Sequence, residues 1–258
     1  MKLLSESAYL MGLELNEGRL GAFEIYYREL AAWNKKFNLT AITDYDQVQI
    51  KHFLDSLTCL LADEDLTRAI CKQPGIRAID VGAGAGFPGL PLKIVCPGLL
   101  LTLLEATGKK VGFLEHVVSC LGLAGVEVIK GRAEELGRDA AHRERYDLAL
   151  ARAVAALPVL VEYALPFCRV GGLFVAQKGA DGNAEARAAE GAIVTLGGAL
   201  RRIVHLELPN LAEARSLVVI EKIAPTPEKY PRRPGIPSKR PLQSPIPNIG
   251  LDHRSGHL

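Results

Sequence analysis

The residues best placed to do chemistry lie in Asp80-Val81-Gly82-Ala83-Gly84-Ala85-Gly86-Phe87-Pro88-Gly89. An apolar run from Ile76 to Val81 feeds this turn, and a helix-like segment from Leu90 to Val95 follows it. A strand ending in such a turn brings bare backbone against a ligand at the carboxyl edge of a sheet. A dinucleotide fingerprint read from Gly82 requires glycine where Phe87 stands, which disfavours nicotinamide binding. What remains is acid-x-Gly-x-Gly-x-Gly, the pattern of S-adenosylmethionine pockets. The plain alternative is a tight strand-to-helix turn in some other α/β protein.

A second acid supports the ligand reading. Leu99 to Leu104 is an apolar run of strand length that ends in Glu105, 23 residues after Gly82. The strand after a glycine-rich βα unit ends beside the ligand's ribose, where a carboxylate accepts hydrogen bonds from the hydroxyls. Taken alone, Glu105 is equally well read as a surface partner for Lys109 one helical turn on.

Two further loops must share that edge if the strands are parallel. Gly131-Arg132-Ala133-Glu134-Glu135 follows a third strand, Val126 to Ile129, and Ala151-Arg152-Ala153-Val154 follows a fourth, Leu148 to Leu150. Leu173 to Gln177 reads as the fifth strand, and Arg201 to Leu208 with Ser216 to Ile223 as a closing antiparallel pair. Ahead of the sheet, Glu17 to Asn34 places Leu20, Phe23, Tyr27 and Leu30 on one helical face. Tyr45 to Leu61 does the same with Ile50, Phe53, Leu57 and Leu60 or Leu61, capped by Thr43 or Asp44. Ala62 to Gly75 reads as a link ending at Pro74-Gly75. The division expected is a helical domain over 1–73, an α/β domain over 74–224 and a basic, proline-rich tail over 225–258, disordered from Ser244 onward.

Composition sets the outer bounds. The chain has 258 residues, is 48% hydrophobic and 23% charged, and has no apolar run long enough for a membrane span. A cytoplasmic enzyme is the expectation. Cys59, Cys71, Cys96, Cys120 and Cys168 are odd in number and never form C-x-x-C, so small buried thiols are expected rather than a disulfide framework or a zinc site. His253 and His257 lack the helix and acidic companions a metal would need, and no metal is expected. The formal charge is +2, yet the tail from Pro225 alone carries +4. Its Tyr230-Pro231-Arg232-Arg233-Pro234 stretch would hold two arginines on a stiff extended loop suited to phosphates. A solvated basic tail without a partner fits the composition equally well.

With these pieces in place the chain resembles ribosomal RNA small subunit methyltransferase G, the glucose-inhibited division protein B family. The motifs that carry the resemblance are Asp80 to Gly89, Leu103 to Leu114, Gly131 to Glu135, Ala151 to Ala155, Lys178-Gly179 and Tyr230 to Gly235, with Trp33 to Thr40 and His52 to Ser56 in the helical part. The fold implied is an α/β, class I S-adenosylmethionine-dependent methyltransferase (Rossmann-like), its sheet mostly parallel with an antiparallel final strand, behind a small helical domain. The activity implied is methyl transfer from S-adenosyl-L-methionine to N7 of guanine 527, in the 530 loop of 16S rRNA. By resemblance, Gly82, Gly84 and Phe87 would line the methionine side, Glu105, Ala106 and Thr107 the ribose, Ala133 and Glu134 the adenine, and Arg152 the mouth of the pocket. The family often has aspartate at the ribose position, so Glu105 leaves the geometry there open.

No catalytic base is expected, because guanine N7 carries an unprotonated lone pair. Arg152 and Lys178 are candidates for positioning the base, and Lys109, Arg132, Arg232 and Arg233 for RNA binding, with Lys110 on the same basic rim. The partner implied is 16S rRNA or the small ribosomal subunit, and the protein is expected to act as a monomer, with no membrane partner. Two alternatives stay open: a methyltransferase of this fold acting on another RNA, a small molecule or a protein, and a non-catalytic ribosome assembly factor that retains the pocket.

Overall fold

The computed structural model describes residues 1–207 and 214–242. The expected disorder from Ser244 and the last residue of the expected strand 201–208 lie outside the described residues. The chain opens with α1 (Lys2–Leu10) and α2 (Glu17–Phe37), the latter capped by Asn16, whose side chain accepts from the Arg19 amide. Next comes a continuous helical run: α3 (Tyr45–Val48), a π turn at Gln49–Leu54, α4 (Asp55–Leu57) and a 3-10 turn at Thr58–Leu61. Asp44, not Thr43, supplies its cap. The expected link 62–75 instead holds a helix, α5 (Glu64–Lys72). Asp63 caps it and Glu64 and Asp65 sit in its first turn, where carboxylates complement the helix dipole.

The α/β part alternates as expected: β1 (Arg77–Val81), α6 (Gly89–Val95), β2 (Leu100–Glu105), α7 (Gly108–Cys120), β3 (Val126–Lys130), α8 (Ala133–Leu136), β4 (Tyr146–Arg152), α9 (Leu157–Ala164), β5 (Cys168–Lys178), α10 (Gly182–Thr195), β6 (Gly198–Leu206) and β7 (Arg215–Lys222). A short α11 (Ile236–Lys239) lies in the tail. The seven strands run in the order β3-β2-β1-β4-β5-β7-β6. Strands β1 to β5 are mutually parallel, and β7 is antiparallel to both its neighbours. The order reverses between β1 and β4, which places a crevice outside their carboxyl ends.

Side-chain parity along the strands sorts the core into two layers. Ala78, Leu101, Leu103, Leu148, Leu150, Val175 and Val219 face one side together with Phe113, Leu114 and Val117 of α7. Phe23, Tyr26, Leu30, Phe53, Leu54 and Leu57 of the opening helices join that same cluster. Ile79, Val81, Leu104, Ala149, Phe174, Val218 and Ile220 face the other side, against α9 and α10. In α2 the buried stripe is Phe23, Tyr26, Leu30 and Asn34, with the expected Leu20 and Tyr27 half-buried at its edge against the same core.

Two expectations about cysteine and the tail are corrected. Cys71 and Cys96 form a disulfide, because β1 brings the ends of α5 and α6 together with a Cα–Cα distance of 4.4 Å. Cys59 and Cys168 are free and buried, but Cys120 is free and exposed. The tail is not a free arm over its described length. Arg138 Nε donates to the Pro231 carbonyl at 2.7 Å, Arg143 to the Thr226 carbonyl at 2.6 Å, and the Gly235 amide to Glu134 Oε1 at 3.0 Å. Tyr230 and Pro231 are buried against the α/β part. No helix among the described residues is long and apolar enough to cross a membrane.

Candidate active site

The loops after β1, β2, β3 and β4 enclose a cleft of about 500 Å³, within the range of small-molecule sites. Gly82 takes φ +74° and packs under Val154, so the loop after β4 closes over the glycine turn at a position where a Cβ would meet Val154. Gly84 takes φ +62°, and a Cβ there would point into open space whose nearest atom is the Gly82 carbonyl oxygen at 3.8 Å. That space is where a ligand can lie directly on backbone.

Glu105 ties the turn to the next loop. Its Oε2 accepts from the Gly84 amide at 2.9 Å and its Oε1 from the Thr107 amide at 2.8 Å. The longer side chain therefore spans two loops, and each oxygen keeps a lone pair for a ribose hydroxyl. On the far side, Ala133 and Glu134 open α8, where first-turn amides have no intrahelical partner and can meet ring nitrogens. Glu134 is buried, and its carboxylate holds the tail at Gly235.

Asp80 supports the turn from beneath. Its Oδ2 accepts from the Gly89 amide at 2.8 Å, while Oδ1 is buried without a hydrogen-bond partner. Burial pushes its pKa up to about 7, against the pull of that amide and of the Arg152 charge. The opposite side of the turn rests on the helical layer: Tyr26 Oη donates to the Ala85 carbonyl at 2.5 Å.

Arg152, at the end of β4, is held from several sides. Its Nη1 lies 3.0 Å from Asp55 Oδ2 and 3.3 Å from the Lys51 carbonyl, and Nη2 lies 3.2 Å from His52 Nδ1. The guanidinium stands over the Phe87 ring, 4.9 Å from its centroid. His52 Nδ1 lies 3.2 Å from the Lys51 carbonyl as well as from Arg152, and His52 Nε2 and Thr40 Oγ1 share a hydrogen bond of 2.8 Å. Burial, then the Arg152 charge, lowers the His52 pKa to about 3 and keeps the ring neutral. The π turn at Gln49–Leu54 makes this possible, by loosening the carbonyl ladder so that Lys51 faces Arg152 while His52 stacks on Phe87 at 4.5 Å between centroids. The residue after Arg152, Ala153, takes φ +54°, a costly conformation for alanine at the lip of the cleft.

Of the residues expected at a ligand, Gly82, Gly84, Phe87, Glu105, Ala106, Ala133, Glu134 and Arg152 line one cleft. Thr107 reaches it only through its amide on Glu105. Among the cations, Lys110 and Arg132 line the cleft while Lys109, outside it, donates to the Phe37 carbonyl at 2.8 Å. Lys178 is also outside, bound to Glu185 and to the Ala155 carbonyl, both at 2.7 Å. Arg232 is committed to Glu162, which is fully buried, at 2.6 Å, whereas Arg233 is exposed. Leu39, Thr40 and His52, which lay in the helical-part motifs without an assigned role, and Tyr163, which lay in none, are also in the lining. His52 lay in a recognised motif, but nothing in its neighbours signalled a partner 100 residues away.

Residues 19–217 match the family described as rRNA small subunit methyltransferase G. The chain belongs to that family. Among its relatives, a ribosomal RNA small subunit methyltransferase G of Pelotomaculum thermopropionicum is 50% identical over 239 residues, covering 93% of this chain and 97% of the relative. One of the same description from Dehalococcoides mccartyi is 48% identical over 236 residues, covering 90% and 95%. Among solved structures, MtNAS in complex with MTA and tNA aligns with a TM-score of 0.52 at 16% identity, covering 78% of this chain and 71% of that one, a likeness of fold. Family membership and sheet topology together make the chain a class I S-adenosylmethionine-dependent methyltransferase.

Proposed function

We propose that the chain transfers a methyl group from S-adenosyl-L-methionine to N7 of guanine 527 in 16S rRNA. The observation that carries the reading is Glu105 bridging Gly84 and Thr107 on the floor of a four-loop cleft, in a chain of this family. The residues present fit the cofactor: a cleft of about 500 Å³, open backbone at Gly84, the Glu105 carboxyl as acceptor for the ribose and first-turn amides for the adenine. When bound, the cofactor supplies an electrophilic methyl on a sulfonium.

The chain's own contribution is position. Guanine N7 attacks without losing a proton, so a general base is not required and alignment supplies most of the rate. Phe87, flanked by His52 and the Arg152 guanidinium, fixes the methionine end of the cleft as a rigid stack. Lys110 and Arg132 stand on the rim, where a base extruded from its stack and its flanking phosphates must approach. Arg233 is exposed two residues before Gly235, which donates to Glu134 of the cleft lining. Lys178 and Arg232 act as buttresses, one for the loop after β4 and one for the tail.

The test is transfer of labelled methyl groups to small subunits lacking the modification, with the product mapped by strand cleavage at N7-methylguanine. Label at guanine 527 supports the reading. Label elsewhere in 16S rRNA overturns the site, and no transfer to rRNA with intact cofactor binding overturns the substrate.

A further inference from the structure

Away from the cleft, three potential metal donors converge where α2 meets α7. His116 and Cys120 are one turn apart on α7, and Glu29 reaches them from α2. Glu29 Oε2 lies 2.6 Å from His116 Nε2, Cys120 Sγ lies 3.5 Å from the same nitrogen, and the three donor atoms all fall within 4.8 Å of one another. We propose that Glu29, His116 and Cys120 form a binding site for a divalent zinc-like cation that clips the helical layer to the methyltransferase sheet.

Donor chemistry and geometry carry the inference. A thiolate, an imidazole and a carboxylate are the zinc donor set, and ligand atoms around a tetrahedral zinc stand about 3.3 to 3.6 Å apart. The sulfur-to-nitrogen distance of 3.5 Å already matches, and the carboxylate oxygen has to withdraw from 2.6 Å by about 0.7 Å, a small side-chain rotation. Cys120 Sγ lies beside the ring, 3.5 Å from Nε2 and 4.0 Å from Nδ1, so a cation on Nε2 requires a rotation of the Cys120 side chain, transfer of the ring proton to Nδ1, and loss of the thiol proton and of the His116–Glu29 hydrogen bond. The site lies in the last turn of α7, a helix of 13 residues whose carbonyl end favours positive charge. A cleft lined by Gly18, Gly21, Ala22, Arg28 and Leu121 opens beside Cys120, leaving room for a water or an anion as fourth ligand.

Nothing else in the fold explains an exposed thiol facing an exposed edge of a histidine–glutamate pair. Cys59 and Cys168 are buried and Cys71 and Cys96 are joined, so Cys120 is the one accessible thiol. Trp33, the only tryptophan of the chain, packs on the same ring, 5.2 Å from His116 between centroids, and gives the site an internal reporter.

The experiment titrates EDTA-stripped, full-length protein with Co²⁺ and then displaces it with Zn²⁺. One equivalent of Co²⁺ is expected to produce a thiolate-to-cobalt charge-transfer band and to quench Trp33 fluorescence, with Zn²⁺ reversing both. Cys120→Ser should remove the band, and Cys120→Ser and His116→Gln should each weaken Zn²⁺ binding at least tenfold while S-adenosylmethionine affinity stays that of the parent. His253 and His257 carry no sulfur, so the band reports Cys120 alone. Absence of the band at micromolar protein and metal, or Zn²⁺ affinity unchanged in both variants, would overturn the proposal.

Discussion

Replacing Glu105 by glutamine tests the cofactor site more sharply than replacing it by alanine. Both carboxylate oxygens already accept a backbone amide, at 2.9 Å from Gly84 and 2.8 Å from Thr107. A glutamine side chain has one acceptor oxygen, so in either orientation its NH₂ group faces an N–H donor. One loop is released and one ribose acceptor is lost. A hydrogen bond to a charged group contributes about 1.5 to 3 kcal/mol, so loss of the ribose contact alone predicts about 10- to 150-fold weaker S-adenosylmethionine binding. The displaced loop adds to that, and Glu105→Ala, which removes both acceptors, should bind no more tightly than Glu105→Gln. Calorimetric titration of both variants gives the affinities, and thermal unfolding without ligand shows whether each has folded. A folded Glu105→Gln protein binding within twofold of the parent would refute the bridging argument.

Three further outcomes follow from the same geometry. Gly84→Val should abolish S-adenosylmethionine binding in calorimetry, because the side chain enters open cleft space, and should lower stability by only about 1 to 2 kcal/mol for the left-handed φ. His52 is held neutral, with its folded pKa at about 3 below the usual value near 6.5, so its stabilising effect is present above pH 6.5 and is lost as pH falls toward 3. His52→Gln can keep both hydrogen bonds without titrating, and urea unfolding at pH 7.5 and 4.5 should show a loss smaller by about 2 to 3 kcal/mol than in the parent; equal losses would contradict the buried, neutral ring. Arg232→Ala strands the buried Glu162 carboxylate and should cost about 3 to 5 kcal/mol in denaturant unfolding. Arg233→Ala should leave unfolding unchanged and lower the log–log salt slope of rRNA binding by about 1.

What the sequence revealed was whatever is local in it. The glycine turn, the acid ending β2 and the strand runs each signal within a dozen residues, and the strands fall where their apolar runs do. What it concealed depends on distant partners. Arg232 reads as a free cation until Glu162, 70 residues earlier, is placed beside it. Lys178 reads as a substrate contact until α10 brings up Glu185. The Tyr26-Tyr27 pair fits either of two helical phases, and Tyr26 is the more buried because Phe87 stacks on it and Phe53 packs tilted against it, contacts absent from the local pattern. The stretch from Ala62 to Gly75 reads as a link because of Pro74-Gly75, and the helix within it shows only once Asp63 is seen capping it. His116 and Cys120 show metal-ligand spacing on their own helix, but Glu29 is 87 residues away from His116, and without it the pair carries little signal.

The hydrogen bond from Tyr26 to the Ala85 carbonyl has a thermodynamic consequence. Gly86 leaves no room between the glycine turn and Tyr26, so the turn takes its shape from a helix outside the nucleotide-binding half. By reciprocity, whatever factor the seated helix contributes to cofactor affinity, the cofactor returns as tighter seating of the helix. The coupling runs through the Tyr26–Ala85 contact, so a loaded cleft should hold the inner face of α2 more firmly against the glycine turn than an empty one.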